Sequence, residues 1–369
     1  MKVNLFDLSE EQVRNIRYWA PAFITAALAW LLLLIVGETP LSRASGLALA
    51  VMGVTASMRR MGFIASIAGG LTMTLCPIFW SQAGGGVSKP ATIVLAVGIA
   101  AGATLLASII VKRSYLGIGL GIAVFVLIFW SQIGIAQSLR LTGLVTAWFM
   151  YLLVDMVLLT NPRPGTKPPS PPRPFHIYGL LFLFAIGTIN DPLIALFAPA
   201  MLLGLFLSYA KLPLWYWLSV LAATCIGIGL LVKNYLLPVP RLLGLLNWRE
   251  AASWVELGQL LTEQFSIVGI VIAVLGLARL SRWFPPLGTV TMIAFAAYTF
   301  FGLVYLGDNR EVLLLPLVMI QILWMTYAVN TFGQWVNKTI GNETARWTHF
   351  VSTFYLVVPV ILLFNIIQS

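Results

Sequence analysis

Three short polar stretches interrupt an otherwise apolar chain, and each carries groups able to move a proton or hold an anion. The first is Thr188-Ile189-Asn190-Asp191-Pro192. A carboxylate beside an amide can take a proton from a hydroxyl group and orient a polar substrate. The same residues also spell a helix start, with Asp191 at the N-cap and Pro192 in the first helical position. The second is Gly307-Asp308-Asn309-Arg310-Glu311. There Asp308 can serve as acid or base and Arg310 can grip a phosphate through two parallel N–H groups, although an ordinary solvated turn has the same composition. The third is Glu38 with Arg43 in GETPLSRAS, which also reads as a plain short loop.

Further polar residues need placing. Gln82 ends Phe79-Trp80-Ser81-Gln82, which is echoed 50 residues on by Phe129-Trp130-Ser131-Gln132. The echo reads as an aromatic interface residue with a polar cap, as a duplicated two-span unit, or as a polar pair lining an outer cavity. Asp155 falls within an apolar segment near one end, where it is expected to pair or to reach toward water. The small-residue stretches Gly69-Gly70, Gly84-Gly85-Gly86 and Gly117/Gly119/Gly121 point to close helix packing.

The elements that hold these residues follow from composition. The 369-residue chain is 60% hydrophobic and 9% charged, with mean hydropathy +0.94. That much apolar surface does not fit one soluble core. Segments of about 17–22 apolar residues read as membrane-spanning helices. The expected spans are 18–36, 44–58, 61–80, 91–111, 115–134, 141–160, 176–188, 193–209, 213–232, 262–279, 285–306, 311–331 and 348–367. The expected fold is therefore all-α, a polytopic transmembrane protein of about 11–13 spans.

Charge orients it. With the N-terminus inside, only Arg43, Lys89, Arg140, Lys233, Arg241, Arg249 and Arg310 of the 22 Lys and Arg face outward. That bias sets an N-in orientation in a cell inner (plasma) membrane. It also puts Glu38, Asp191, Glu250, Glu256, Glu263, Asp308 and Glu311 outside, so carboxylate chemistry faces the exterior. The net charge of +10 does not indicate nucleic acid, because the basic residues are scattered at helix ends. Cys76 and Cys225 fall in spans, so no disulfide framework is expected. No metal-ligand cluster or nucleotide-binding loop recurs, and no cofactor is expected. The first span is too long for a cleavable signal peptide and is expected to stay as an anchor.

Two segments break the alternation of span and short loop. Residues 161–174, NPRPGTKPPSPPRP, form a stiff inner linker about 40 Å long if extended. It divides an N-terminal membrane half, 1–160, from a C-terminal half, 175–369. Residues 246–261 have helical spacing and read as a helix in the outer interface, anchored by Trp248 and Trp254. A surface helix is expected at 4–17, where Ser9 and Gln12 form a capping box.

Four stretches together resemble a known family. They are Pro77-Ile78-Phe79-Trp80-Ser81-Gln82-Ala83, GTINDPLIALFAP from Gly187 to Pro199, LLNWREAASW, and GDNREVLLLP from Gly307 to Pro316. Their order and spacing look like the bacterial relatives of protein O-mannosyltransferases, in the multispan GT-C glycosyltransferase class. The resemblance implies a polyprenyl-phosphate sugar donor and an outward-facing site with no nucleotide-sugar pocket. Asp191 or Asp308 would be the catalytic base, with Asn190, Arg310, Glu38, Arg43 and Gln82 around the substrate. That family carries its key acid in a long first outer loop. Here the loop is short and Glu38 is its only acid. The sequence thus leaves open an active glycosyltransferase, a relative that has lost catalysis, an accessory subunit packed against other membrane subunits, and, third, a secondary transporter.

Overall fold

The computed structural model describes residues 10–83, 139–162, 170–208, 212–238, 241–307, 310–340 and 346–368. The expected spans 91–111 and 115–134, the second FWSQ stretch, Asp308 and Asn309 lie outside the described residues, as does 163–169 of the linker. Among the described residues there is no β-strand, only one bridge between Leu243 and Tyr305. The protein is an all-α, multi-pass membrane protein.

Helices α1 (Glu10–Ile35), α2 (Leu41–Met58), α3 (Phe63–Leu75) and α4 (Pro77–Trp80) open the chain. Next come α5 (Leu139–Thr160) and α6 (Pro174–Asn190), then a 3-10 segment Pro192–Phe197 running into α7 (Ala198–Leu207). Helices α8 (Leu214–Leu231), α9 (Ala251–Trp283) and α10 (Pro285–Val304) follow. The short α11 (Arg310–Leu313), α12 (Leu315–Thr339), α13 (Arg346–Phe354) and α14 (Val357–Gln368) complete the set. Every expected span within the described residues is helical, although 61–80, 193–209 and 348–367 are each divided between two helical elements. Seven are long and apolar enough to cross a membrane.

The boundaries differ from the expected ones where backbone chemistry intervenes. The span expected at 61–80 breaks at Cys76, whose ψ of 141° is extended. Pro77 excludes the helical region for the residue before it, and then starts α4 from N1. Residues 10–17 of the expected surface helix continue without a break into the first span. The expected outer helix begins only at Ala251, after a 3-10 turn Asn247–Arg249 that holds Trp248, and from there it and the next span are one element, α9, kinked at Ser266 with φ 59° and ψ 174°.

Helices α5 and α12 form the centre, each with 89% of its apolar window buried. By contrast α8 and the α13–α14 pair bury only 17%. They present Leu218, Leu221, Ile226, Val360, Ile361 and Phe364 outward. Such a rim suits lipid, which competes with no side chain for burial, so the centre packs by close approach. A Cβ on Gly276 of α9 would fall on the Trp324 carbonyl of α12. Gly69 and Gly70 sit against Thr326 and Thr55, as the small-residue reading expects.

The helix direction alternates, and long-range hydrogen bonds show which ends meet. At one end Arg43 Nη1 donates to the Ala83 carbonyl (3.3 Å) and Thr142 donates to Asp191 (3.0 Å). At the opposite end Arg59 donates to Asp155 (3.2 Å) and the Tyr216 hydroxyl donates to the Ile177 carbonyl (2.9 Å). The first is the acid-bearing end and the second the arginine end.

Candidate functional site

Asp191 sits at the tip of a hairpin. Helix α6 climbs to Asn190 and the 192–207 segment returns, with Gly179 and Gly204 both packed at the level of Leu152 and Leu153 of α5. The tip is buried, leaving Asp191 5% exposed. Its Oδ1 accepts from the Leu193 N–H (3.0 Å) and its Oδ2 from the Thr142 hydroxyl (3.0 Å). The first bond is the N-cap that the Asp-Pro pair implies. Asn190 Nδ2 donates to Thr142 Oγ1 (3.2 Å). Burial pushes the Asp191 carboxyl above the ordinary carboxylate range, while the Leu193 N–H and Thr142 hydroxyl pull the other way.

A second arrangement at the same end is open to solvent. A cleft of about 330 Å³ is lined by Glu256, Gln259, Leu260, Glu263, Leu306, Gly307, Arg310 and Glu311. Positions 256, 259, 260 and 263 recur at helical spacing, so one face of α9 supplies a whole wall. Opposite it, Arg310 Nη1 donates to Glu256 Oε2 (2.9 Å) and Nη2 donates to the Tyr305 carbonyl (2.6 Å). Glu256 is 61% exposed at its side chain, so this pair is held loosely by solvent-screened charge.

The remaining candidates gather around α4. Trp80 packs beside Gly37, next to Glu38, which is exposed with φ 45°. Gln82 Nε2 donates to Ser81 Oγ (3.2 Å), next to the Ala83 carbonyl that Arg43 holds. Helix α11, which carries Arg310, also packs on α4. Asp191 and Asn190 do not join this group and do not line the cleft. Between them and Arg310 stands an aromatic layer. Tyr235 lies 5.6 Å from Phe301 and 6.0 Å from Tyr305, and Arg310 bonds to the Tyr305 carbonyl. Asp308, the other candidate base, is outside the described residues.

The densest polar cluster lies at the arginine end, and sequence reasoning found only Asp155 in it. Asp155 Oδ1 accepts from Arg59 Nη2 (3.2 Å) and Arg60 Nε (3.0 Å), while Oδ2 accepts from His176 Nε2 (3.0 Å). The Arg59 guanidinium lies 4.1 Å from the ring centroids of both Tyr18 and Trp19. Desolvated cation–π contacts of this kind contribute roughly 2 kcal/mol. The cluster ties α1, α2, α5 and α6 together. Among the described residues, no three His, Cys, Asp or Glu side chains gather to hold a metal.

No protein-family model, curated protein or solved structure matches the chain.

Proposed function

We propose that the protein is a GT-C-like membrane protein that binds a polyprenyl-phosphate sugar in the cleft at its acid-bearing end. The observation that carries this reading is the single face of α9 that sets Glu256, Gln259 and Glu263 across from Arg310. Carboxylates and an amide accept hydrogen bonds from sugar hydroxyls, and a guanidinium holds phosphate bidentately. The volume falls in the range of small-molecule sites, about 300–1,000 Å³. Leu306, half exposed at the cleft edge, offers apolar surface to the first prenyl carbons. In a transfer reaction an open carboxylate would take the acceptor proton while Arg310 stabilised the departing lipid phosphate. Glu263 lines the cleft, and Asp308 lies in sequence between the lining residues Gly307 and Arg310.

One observation favours the accessory-subunit reading. Asp191 spends both carboxylate oxygens on internal hydrogen bonds and is sealed from solvent, which leaves it unsuited to general-base work. Proteoliposomes carrying polyprenyl-phosphate hexose separate the cases. Binding with release of polyprenyl phosphate, both lost in Arg310→Gln, supports the enzyme. Binding without release supports a non-catalytic relative. Absence of binding overturns the cleft assignment.

A further inference from the structure

The hairpin tip carries oxygen atoms that the fold leaves unspent. Many buried helical threonines of this chain donate to the carbonyl four residues back. Thr25, Thr55, Thr72, Thr74, Thr160 and Thr331 all do so at 2.7–3.0 Å. Around Asp191 that habit fails. Thr142 gives its proton to Asp191 instead. The Thr146 and Thr188 hydroxyls are buried with no partner, and so is Asn190 Oδ1. Asn190 Oδ1 belongs to the amide whose Nδ2 bonds Thr142, so it lies within the same cluster as the Asp191 carboxylate. Thr146 lies one helical turn from Thr142 along α5.

The charge is unbalanced as well. Among the described residues no Lys, Arg or His forms an ion pair with Asp191, although it is 5% exposed. An isolated buried carboxylate is costly unless a proton or a cation offsets it. Helix α6 also ends here, so its last carbonyls and the negative end of its dipole point to the same place. A buried break between two short membrane helices, lined by carbonyl, amide and hydroxyl oxygens, is a recurring way to hold a small cation. The polar atoms gathered at the tip are hard oxygens, and only the Asp191 carboxylate among them carries a formal charge, which matches a monovalent ion better than a divalent one.

We propose that the hairpin tip binds a monovalent cation of the sodium class, held by Asp191, Asn190 Oδ1 and the hydroxyls of Thr142 and Thr146. The ion neutralises the carboxylate and locks α6 and the 192–207 segment against α5. It stands apart from the cleft and does not depend on the sugar reading.

The test is thermal unfolding of the detergent-purified full chain in NaCl, KCl or N-methylglucamine chloride at equal ionic strength. A saturating, sodium-specific rise in Tm is expected, as for any ligand that binds only the folded state. It should vanish in Asp191→Asn and shrink in Thr146→Val, and equilibrium binding of ²²Na⁺ should follow the same order. Thr146→Val keeps the side-chain shape, so it stays informative if Asp191→Asn does not fold. Equal Tm in all three salts would overturn the proposal. So would a sodium shift undiminished in both variants.

Discussion

The side-chain carbonyl of Gln264 accepts a hydrogen bond at 3.0 Å from the backbone N–H of Ile78, across 186 residues of sequence. Ile78 is in the first turn of α4, where backbone donors have no partner within the helix. Gln264 is buried in α9, two residues before the Ser266 kink. One side chain thus caps the short helix of the FWSQ stretch and fixes it to the helix that builds the cleft wall. Gln264→Leu should leave the Ile78 N–H buried without a partner, at a cost of about 1–3 kcal/mol. Gln264→Glu keeps an acceptor and, compared at a pH low enough to keep the buried carboxyl protonated, should cost less. Unfolding midpoints in detergent give the comparison, and equal losses would remove the capping role.

Ser266 adopts φ 59° and ψ 174°, at the edge of a region otherwise left to glycine. The strained residue falls at the junction between the cleft-lining part of α9 and its membrane part. Ser266→Gly is expected to retain or raise stability. Ser266→Val, which adds branching at Cβ, should lose roughly 1–3 kcal/mol. A stable valine variant would show that the kink needs no special residue.

Asp155 anchors the arginine end. Removing one member of a buried ion network leaves uncompensated charge, so Asp155→Ala should cost about 3–5 kcal/mol. Arg60 is 32% exposed at its side chain, and Arg60→Gln should cost about 1 kcal/mol or less. Thermal or denaturant unfolding of the two variants should rank them in that order. The reverse order would mean that Arg60 anchors the network.

The two ends should lie on opposite sides of the membrane. Glu250 is exposed at the acid-bearing end and Arg173 at the arginine end. Cysteines placed there should react with an impermeant maleimide from opposite faces of sealed vesicles, with position 250 outside. Labelling of both from one face would contradict the orientation read from the basic residues.

The helices were readable from sequence because each span needs a long apolar run, and such runs leave little ambiguity. The Asp191 cap was readable from the Asp-Pro pair, and the break before Pro77 carried its own signal in the proline. The partners of Asp155 were not, because Arg59, Arg60 and His176 come from different helices and no local pattern says which meet at one level. The burial of Asp191 was hidden for the same reason. It depends on Thr142 and on the aromatic layer around Tyr235 closing over the tip. The cleft wall did have a signal, the 256, 259, 260, 263 spacing, but its hydrophilic stripe reads equally as the wet side of an interfacial helix. The Ser266 kink had none, since serine ordinarily avoids that conformation.

The central claim is that the cleft between α9 and α11 receives a lipid-linked sugar. The most direct measurement is photocrosslinking of the reconstituted protein with a polyprenyl-phosphate hexose analogue bearing a diazirine on the first prenyl unit, followed by peptide mapping. Label should concentrate in 251–266 and 304–313 and fall at least about tenfold, roughly 1.4 kcal/mol of affinity, in Arg310→Gln. Label at the arginine end, or label in the cleft that is indifferent to Arg310, would contradict the account.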